Sequence, residues 1–172
     1  MGTFEIIAQF SKMLKNTDQW LQIATDFAKK KGFEPDVLTH ARLAPDQYDL
    51  VRQIQSACDA AKFAAAYLSG QKAPAHPDTE KTIEELRARI KTCVTYLDGF
   101  KASDFDGAET RQVAPPWMGG HSVRGDHYLN RIGIPNFYFH VTTTYAILRH
   151  NGVELGKADF VGVKSWTELA DS

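Results

Sequence analysis

Apolar residues recur at intervals of three and four positions in several stretches of the chain, and this spacing puts them on one face of a helix. The predicted helices lie near residues 3–31, 45–69, 78–99 and 135–151. Gly32, Gly70 and Gly152 directly follow three of these stretches, and glycine is the usual residue just past a helix end. Pro45 and Pro135 suit the first turn of the second and the last helix. Long helices with short to medium connections predict an all-α, up-and-down four-helix bundle.

The segment before the last predicted helix has a different pattern. Val113 and Val123 each lie in a short extended stretch, and Gly119–Gly120 supplies a turn between the two stretches. We therefore predict a small β-hairpin or extended lid near residues 111–124, covering one end of the bundle. Trp117 lies near the turn, where an aromatic side chain can cover a pocket or a partner surface.

Length and composition limit the classes of function. The chain has 172 residues, of which 43% are hydrophobic and 24% are charged, so one domain over residues 1–172 is expected. Its 20 basic and 21 acidic residues are well mixed, which excludes the basic surface of a nucleic-acid-binding protein. No apolar stretch approaches the roughly 20 residues of a membrane span, and the first residues lack the pattern of a signal peptide.

Two local sequence features add to this picture. Cys58 and Cys93 are isolated from each other and from histidine in the sequence, so they predict reduced, buried thiols in a cytoplasmic protein. The sequence from Ser165 to Glu168 matches a capping box, which predicts a short terminal helix.

The last predicted helix is apolar or aromatic on nearly every side, and His140 is its one internal ionisable residue. On a helix, His140 shares a face with Asn136, Thr143 and Thr144, so its surroundings are partly polar. A helix of this kind is buried, and a buried imidazole needs a hydrogen-bond partner. We expect His140 to point toward the second helix, within reach of Asp59 or Gln55.

The second predicted helix carries a line of polar residues beside its apolar stripe. Tyr48, Arg52, Gln55, Asp59 and Lys62 follow one another at three- and four-residue steps. One interpretation is a solvated face with a ladder of side-chain contacts. The other is a polar wall that faces His140.

Several stretches resemble a known family: Ala41–Asp46, Gln55–Lys62 and Pro135–Gly152. They look like an uncharacterised bacterial family of unknown function, which is similar to the DinB/YfiT-like metalloenzyme superfamily. The resemblance covers nearly the whole chain and implies a helical bundle that often forms a homodimer. It also implies a divalent metal, held by one histidine on the second helix and a His-x-x-x-His pair on the last. Several members of that superfamily are thiol-dependent transferases or isomerases.

The metal-binding positions of the superfamily correspond only in part to histidines here. His140 corresponds to the second histidine of the pair, and Asn136 occupies the position of the first. The histidine of the second helix falls near Gln55 or Ser56. His140 is therefore the one ligand position that the resemblance carries over directly.

Three functions are consistent with the sequence. The first is a metal-dependent enzyme, of the transferase or hydrolase type, in which His140 binds zinc or nickel together with Asp59, His121 or His127. The second is a bundle that binds an unidentified small molecule, or a metal-free enzyme, with a pocket lined by His140, Asn136, Gln55, Asp59 and Thr143. The third is a structural or interaction role, in which His140 is a hydrogen-bonded core residue. The aromatic excess of the last helix and the broad apolar surface of the first predict a homodimer, which favours a dimeric binding or structural module.

Overall fold

The computed structural model describes residues 2–163, and helices account for most of them. The α-helices are α1 (Thr3–Lys31), α2 (Leu50–Ser69), α3 (Ile83–Asp98), α4 (Gly125–Tyr128), α5 (Ile134–His150) and α6 (Lys157–Val161). Short 3-10 turns cover Pro35–His40, Ala102–Phe105 and Pro116–Met118, and a π-helical turn, Leu129–Gly133, joins α4 to α5. The strands β1 (Gln112–Val113) and β2 (Val123–Arg124) form an antiparallel pair.

The four long helices enclose one hydrophobic core. α2 packs against both α3 and α5, and α1 packs against all three of these helices. The largest fully buried side chains include Trp20, Phe10, Phe137, Ile54 and Leu86. The predicted helical bundle with a hairpin before the last long helix is confirmed. No described helix is both long enough and apolar enough to cross a membrane.

Two helices begin later than the sequence pattern indicates. α2 begins at Leu50 rather than near residue 45, because the side chain of Asp49 accepts a hydrogen bond from the Arg52 backbone N–H at 3.0 Å. α3 begins at Ile83 rather than near residue 78, because Thr82 and Glu85 form a capping box. Residues 71–82 are consequently a loop, which we call the α2–α3 loop.

A close backbone contact joins the two ends of the hairpin segment. The N–H of Gly125 donates to the carbonyl oxygen of Arg111 at 2.8 Å. A Cβ atom on Gly125 would lie 1.9 Å from the Ala108 carbonyl oxygen, so only glycine fits at this point. The contact fixes where the hairpin ends and α4 begins. The capping-box helix predicted at residues 165–168 lies outside the described residues.

Candidate functional site

An open cleft of about 670 Å³ lies between α2 and the helix that runs from α4 to α5. We call it the aromatic cleft, after the rings in its walls: Tyr48, Phe63, Tyr67, Trp117 and Tyr128. Its polar lining comes from Arg52, Ser56, Asp59, Asn136 and His140. Trp117 lies near the hairpin tip and lines the cleft, so the hairpin contributes to the cleft. The ring of Trp117 is open to solvent on its other side, with 64% of its surface exposed.

The helical segment from α4 through α5 supplies four lining residues at four-residue steps: Tyr128, Ile132, Asn136 and His140. In a regular α-helix each such step turns the side chain about 40° further around the axis. The π-helical turn between α4 and α5 is wider, which reduces this drift. Pro135 has no N–H to donate to the preceding turn, and the helix widens just before it. The wide turn therefore keeps all four side chains along one cleft.

His140 is buried, with 8% of its surface exposed, and its ring lies on the α2 side of α5. Its Nδ1 is 2.7 Å from the Oε1 of Gln53, whose Nε2 donates to the Tyr48 carbonyl oxygen at 3.3 Å. Because that second bond orients the Gln53 amide, its oxygen faces the ring, and Nδ1 must carry the proton. The predicted burial and direction of His140 are confirmed, but its partner is Gln53 rather than Asp59 or Gln55.

The remaining nitrogen of His140 is left as a hydrogen-bond acceptor. Among the described residues, Nε2 has no hydrogen-bond partner, and His140 lines the aromatic cleft. Burial lowers the pKa of His140, and the charge of Arg52 lowers it further. The imidazole is consequently neutral near pH 7, with a free lone pair for a ligand.

Two tyrosines, the half-buried Tyr67 and the buried Tyr128, provide hydrogen-bond donors in the same cleft. Burial raises the pKa of Tyr67, and burial together with Tyr67 raises the pKa of Tyr128 well above its ordinary value. Both hydroxyl groups therefore stay protonated at neutral pH. Their rings meet edge to face, with centroids 5.6 Å apart, which stabilises this wall of the cleft.

The polar line of α2 is engaged in an ion network rather than in a simple solvated ladder. Asp59 accepts hydrogen bonds of 2.8 Å from both Lys62 and Arg89. Arg89 also contacts Asp78 and Glu80 in the α2–α3 loop. The network holds that loop against α2 and α3, and it gives the aromatic cleft a polar edge at Asp59.

The structure brings together three of the five residues predicted to line a pocket. His140, Asn136 and Asp59 line the aromatic cleft, whereas Gln55 and Thr143 do not. The Nε2 of Gln55 donates to Glu80 at 2.9 Å, because α3 and the α2–α3 loop cover that side of α2. The hydroxyl of Thr143 donates to the Phe139 carbonyl oxygen at 2.7 Å within its own helix.

The sequence analysis missed Gln53, which holds His140 from behind the cleft, and several residues that line the cleft. Gln53 was missed because it falls within the apolar stripe of α2, and a polar residue at such a position is the signal that could have found it. Phe63, Tyr67 and Tyr128 give no sequence signal of their own, since aromatic residues at helical spacing are also typical of a core.

The donor atoms of the cleft do not fit a zinc or nickel site with three protein ligands. His140 offers one nitrogen, and the carboxylate of Asp59 is already bonded to two cations. His121 and His127 are exposed and do not line the cleft. Within residues 2–163, no three His, Cys, Asp or Glu side chains are grouped closely enough to hold a metal ion.

Comparisons with known proteins agree on the family. The model of the family described as domain of unknown function DUF1993 matches residues 4–161. A crystal structure of a DinB family member protein from Shewanella denitrificans has 48% sequence identity and a TM-score of 0.88. That match covers 93% of this chain and 91% of the other. Comparison with proteins of curated function finds no match. The chain therefore belongs to the DUF1993 family, and its fold is similar to that of a DinB family member, as its sequence resemblance implies.

Proposed function

We propose that the protein binds a small molecule with a flat ring in the aromatic cleft, without a metal ion. The observation that carries this proposal is the combination of aromatic walls with one fixed, neutral histidine. The volume of about 670 Å³ is in the range of ligand sites, which are typically largely apolar with a few oriented polar groups. The aromatic cleft has this composition.

His140 determines the direction of one hydrogen bond to a ligand in the cleft. Gln53 fixes the proton on Nδ1, so Nε2 accepts a hydrogen bond from a ligand N–H or O–H group. Asn136, four residues earlier on the same helix, adds an amide that can both donate and accept. A ring compound with a polar hydrogen at its edge satisfies these groups while it stacks on the aromatic walls.

A purely structural role for His140 accounts for less of the structure. Gln53 already satisfies Nδ1, and a core histidine does not need an open cleft on its other side. A metal-dependent transferase or hydrolase receives less support, because the donor set described above does not fit the metal.

We also propose that the protein is cytoplasmic and forms a homodimer. Both cysteines of the sequence lie within the described residues, and Cys58 and Cys93 are buried free thiols, which suits a reducing compartment. The support for a dimer comes from Tyr48 and Phe139, which flank His140 and are each 52% exposed.

The binding proposal is tested by filling the cleft. Indole is the probe, because it offers a flat ring and one N–H group to Nε2 of His140. In a titration followed by amide NMR shifts, we expect changes along α2 and around Asn136 and His140. Ser56 lines the cleft, so Ser56→Trp should abolish the changes. Thr92→Trp, at an exposed site on α3, is the matched control and should bind indole like the unmodified protein. Indole binding that survives Ser56→Trp would contradict the proposal.

A further inference from the structure

A second cleft, of about 880 Å³, lies under the α2–α3 loop and adjoins the aromatic cleft. We call it the loop cleft. Its walls include Lys62, Lys72, His76 and the prolines of the loop. Asp59 and Phe63 line both clefts, so the two openings meet along one side of α2. A single ligand can therefore extend from one into the other.

Lys62 lines the loop cleft although its side chain is only 3% exposed. Its ammonium group has three N–H donors, and it donates one hydrogen bond of 2.8 Å, to Asp59. The centroid of the Phe63 ring lies 4.4 Å from Nζ, so the ring covers another side of the ammonium group. The structure gives this ammonium group no second acceptor among residues 2–163. A buried cation with unused donors is costly unless water or an anion completes its bonds.

The charges around Lys62 show which kind of ligand balances the site. Three cations and three carboxylates are linked by salt bridges: Arg52, Lys62, Arg89, Asp59, Asp78 and Glu80. These six charges cancel. Lys72 also lines the loop cleft, and it has no salt bridge within the described part of the chain. The loop cleft thus has one surplus positive charge, which one negative charge neutralises.

We propose that the loop cleft binds the carboxylate of the ligand whose ring occupies the aromatic cleft, so that the ligand class is an aromatic carboxylic acid. Lys62 of α2 donates a hydrogen bond to the ligand carboxylate, and Lys72 of the α2–α3 loop neutralises the charge of that carboxylate. Asp59 does not exclude the anion, because its own charge is held by Lys62 and Arg89. The inference rests on the proposed function for the ring, and it adds the anionic end.

The experiment compares two probes that have the same ring and differ in charge, benzoate and benzyl alcohol. Amide NMR titrations of the full chain give the dissociation constant of each. Because a hydrogen bond to a charged group is stronger than one to a neutral group, we expect benzoate to bind at least about tenfold more tightly. Lys62→Met keeps most of the apolar side chain and removes the charge, so it should reduce this preference to less than about twofold.

Lys91→Met is the matched control, since Lys91 is exposed on α3, and it should keep the full preference. If Lys62→Met does not fold, Lys72→Met replaces it, because Lys72 is exposed on the loop. That variant should reduce the preference by about threefold, as expected for a partly solvated charge.

The outcomes separate the two proposals. Equal binding of the two probes, or a preference that Lys62→Met and Lys72→Met both leave intact, overturns the anionic site and leaves the aromatic cleft in place. Benzoate shifts confined to the α2–α3 loop overturn the idea of one ligand spanning both clefts. If neither probe shifts any amide around the aromatic cleft, the proposed function itself is wrong.

Discussion

The hydrogen bond between His140 and Gln53 allows a quantitative test, because both side chains are buried and they come from different helices. The atoms Nδ1 and Oε1 are 2.7 Å apart. Gln53→Leu leaves Nδ1 without its acceptor, and His140→Leu leaves Oε1 without its donor. An unsatisfied buried polar group costs about 1–3 kcal/mol, so each substitution should lower the free energy of unfolding by about 2 kcal/mol. For a chain of this length, such a loss lowers the melting temperature by roughly 4–8 °C.

The double variant identifies the interaction itself. When both residues become leucine, neither polar group remains, so the combined loss should be smaller than the sum of the single losses by about 1–2 kcal/mol. Urea unfolding followed by circular dichroism measures all four free energies. Gln19→Leu is the control for the substitution, because Gln19 is exposed on α1 and should change stability by less than about 0.5 kcal/mol. Strict additivity of the two single losses would refute this account of the site.

Three further predictions follow from the same structure. Burial lowers the pKa of His140 below its ordinary value of 6.5, so the unfolded chain binds a proton more readily than the folded protein does. Stability should therefore decline as pH falls below about 6.5, and His140→Gln should make the decline shallower in pH-dependent unfolding; an unchanged slope would argue against the burial effect. Arg89→Met removes the partner of Asp59, Asp78 and Glu80, and it should cost about 3–5 kcal/mol in urea unfolding; a loss typical of a surface site would show that the network is solvated. Light scattering at tens of micromolar should give twice the mass of one chain, and a monomer mass would rule out the dimer.

Local chemistry made the helices predictable. Glycine at a helix end, proline in a first turn and the spacing of apolar residues all act within a few residues. The sequence therefore indicated the four long helices and the hairpin. The same reasoning found that His140 is buried and faces the second helix, because a helix without a polar face cannot expose it. Helix starts were less predictable, since Asp49 and Thr82 compete with other nearby caps. Part of the aromatic excess of α5 is covered within the chain, where Tyr145 packs edge to face against Trp20 of α1 and Phe160 of α6.

The candidate site depended on tertiary packing. Gln53 and Asp59 both lie on α2, and which of them meets His140 depends on how α2 and α5 cross. The crossing of α2 and α5 puts Gln53 opposite the imidazole, and the packing of α3 against α2 puts the buried Arg89 beside Asp59. The Asp59 carboxylate forms a salt bridge with the buried Arg89, which lies on α3, 30 residues further along the chain. The sequence by itself determined that His140 needs a partner, and only the arrangement of the helices decided which residue provides it.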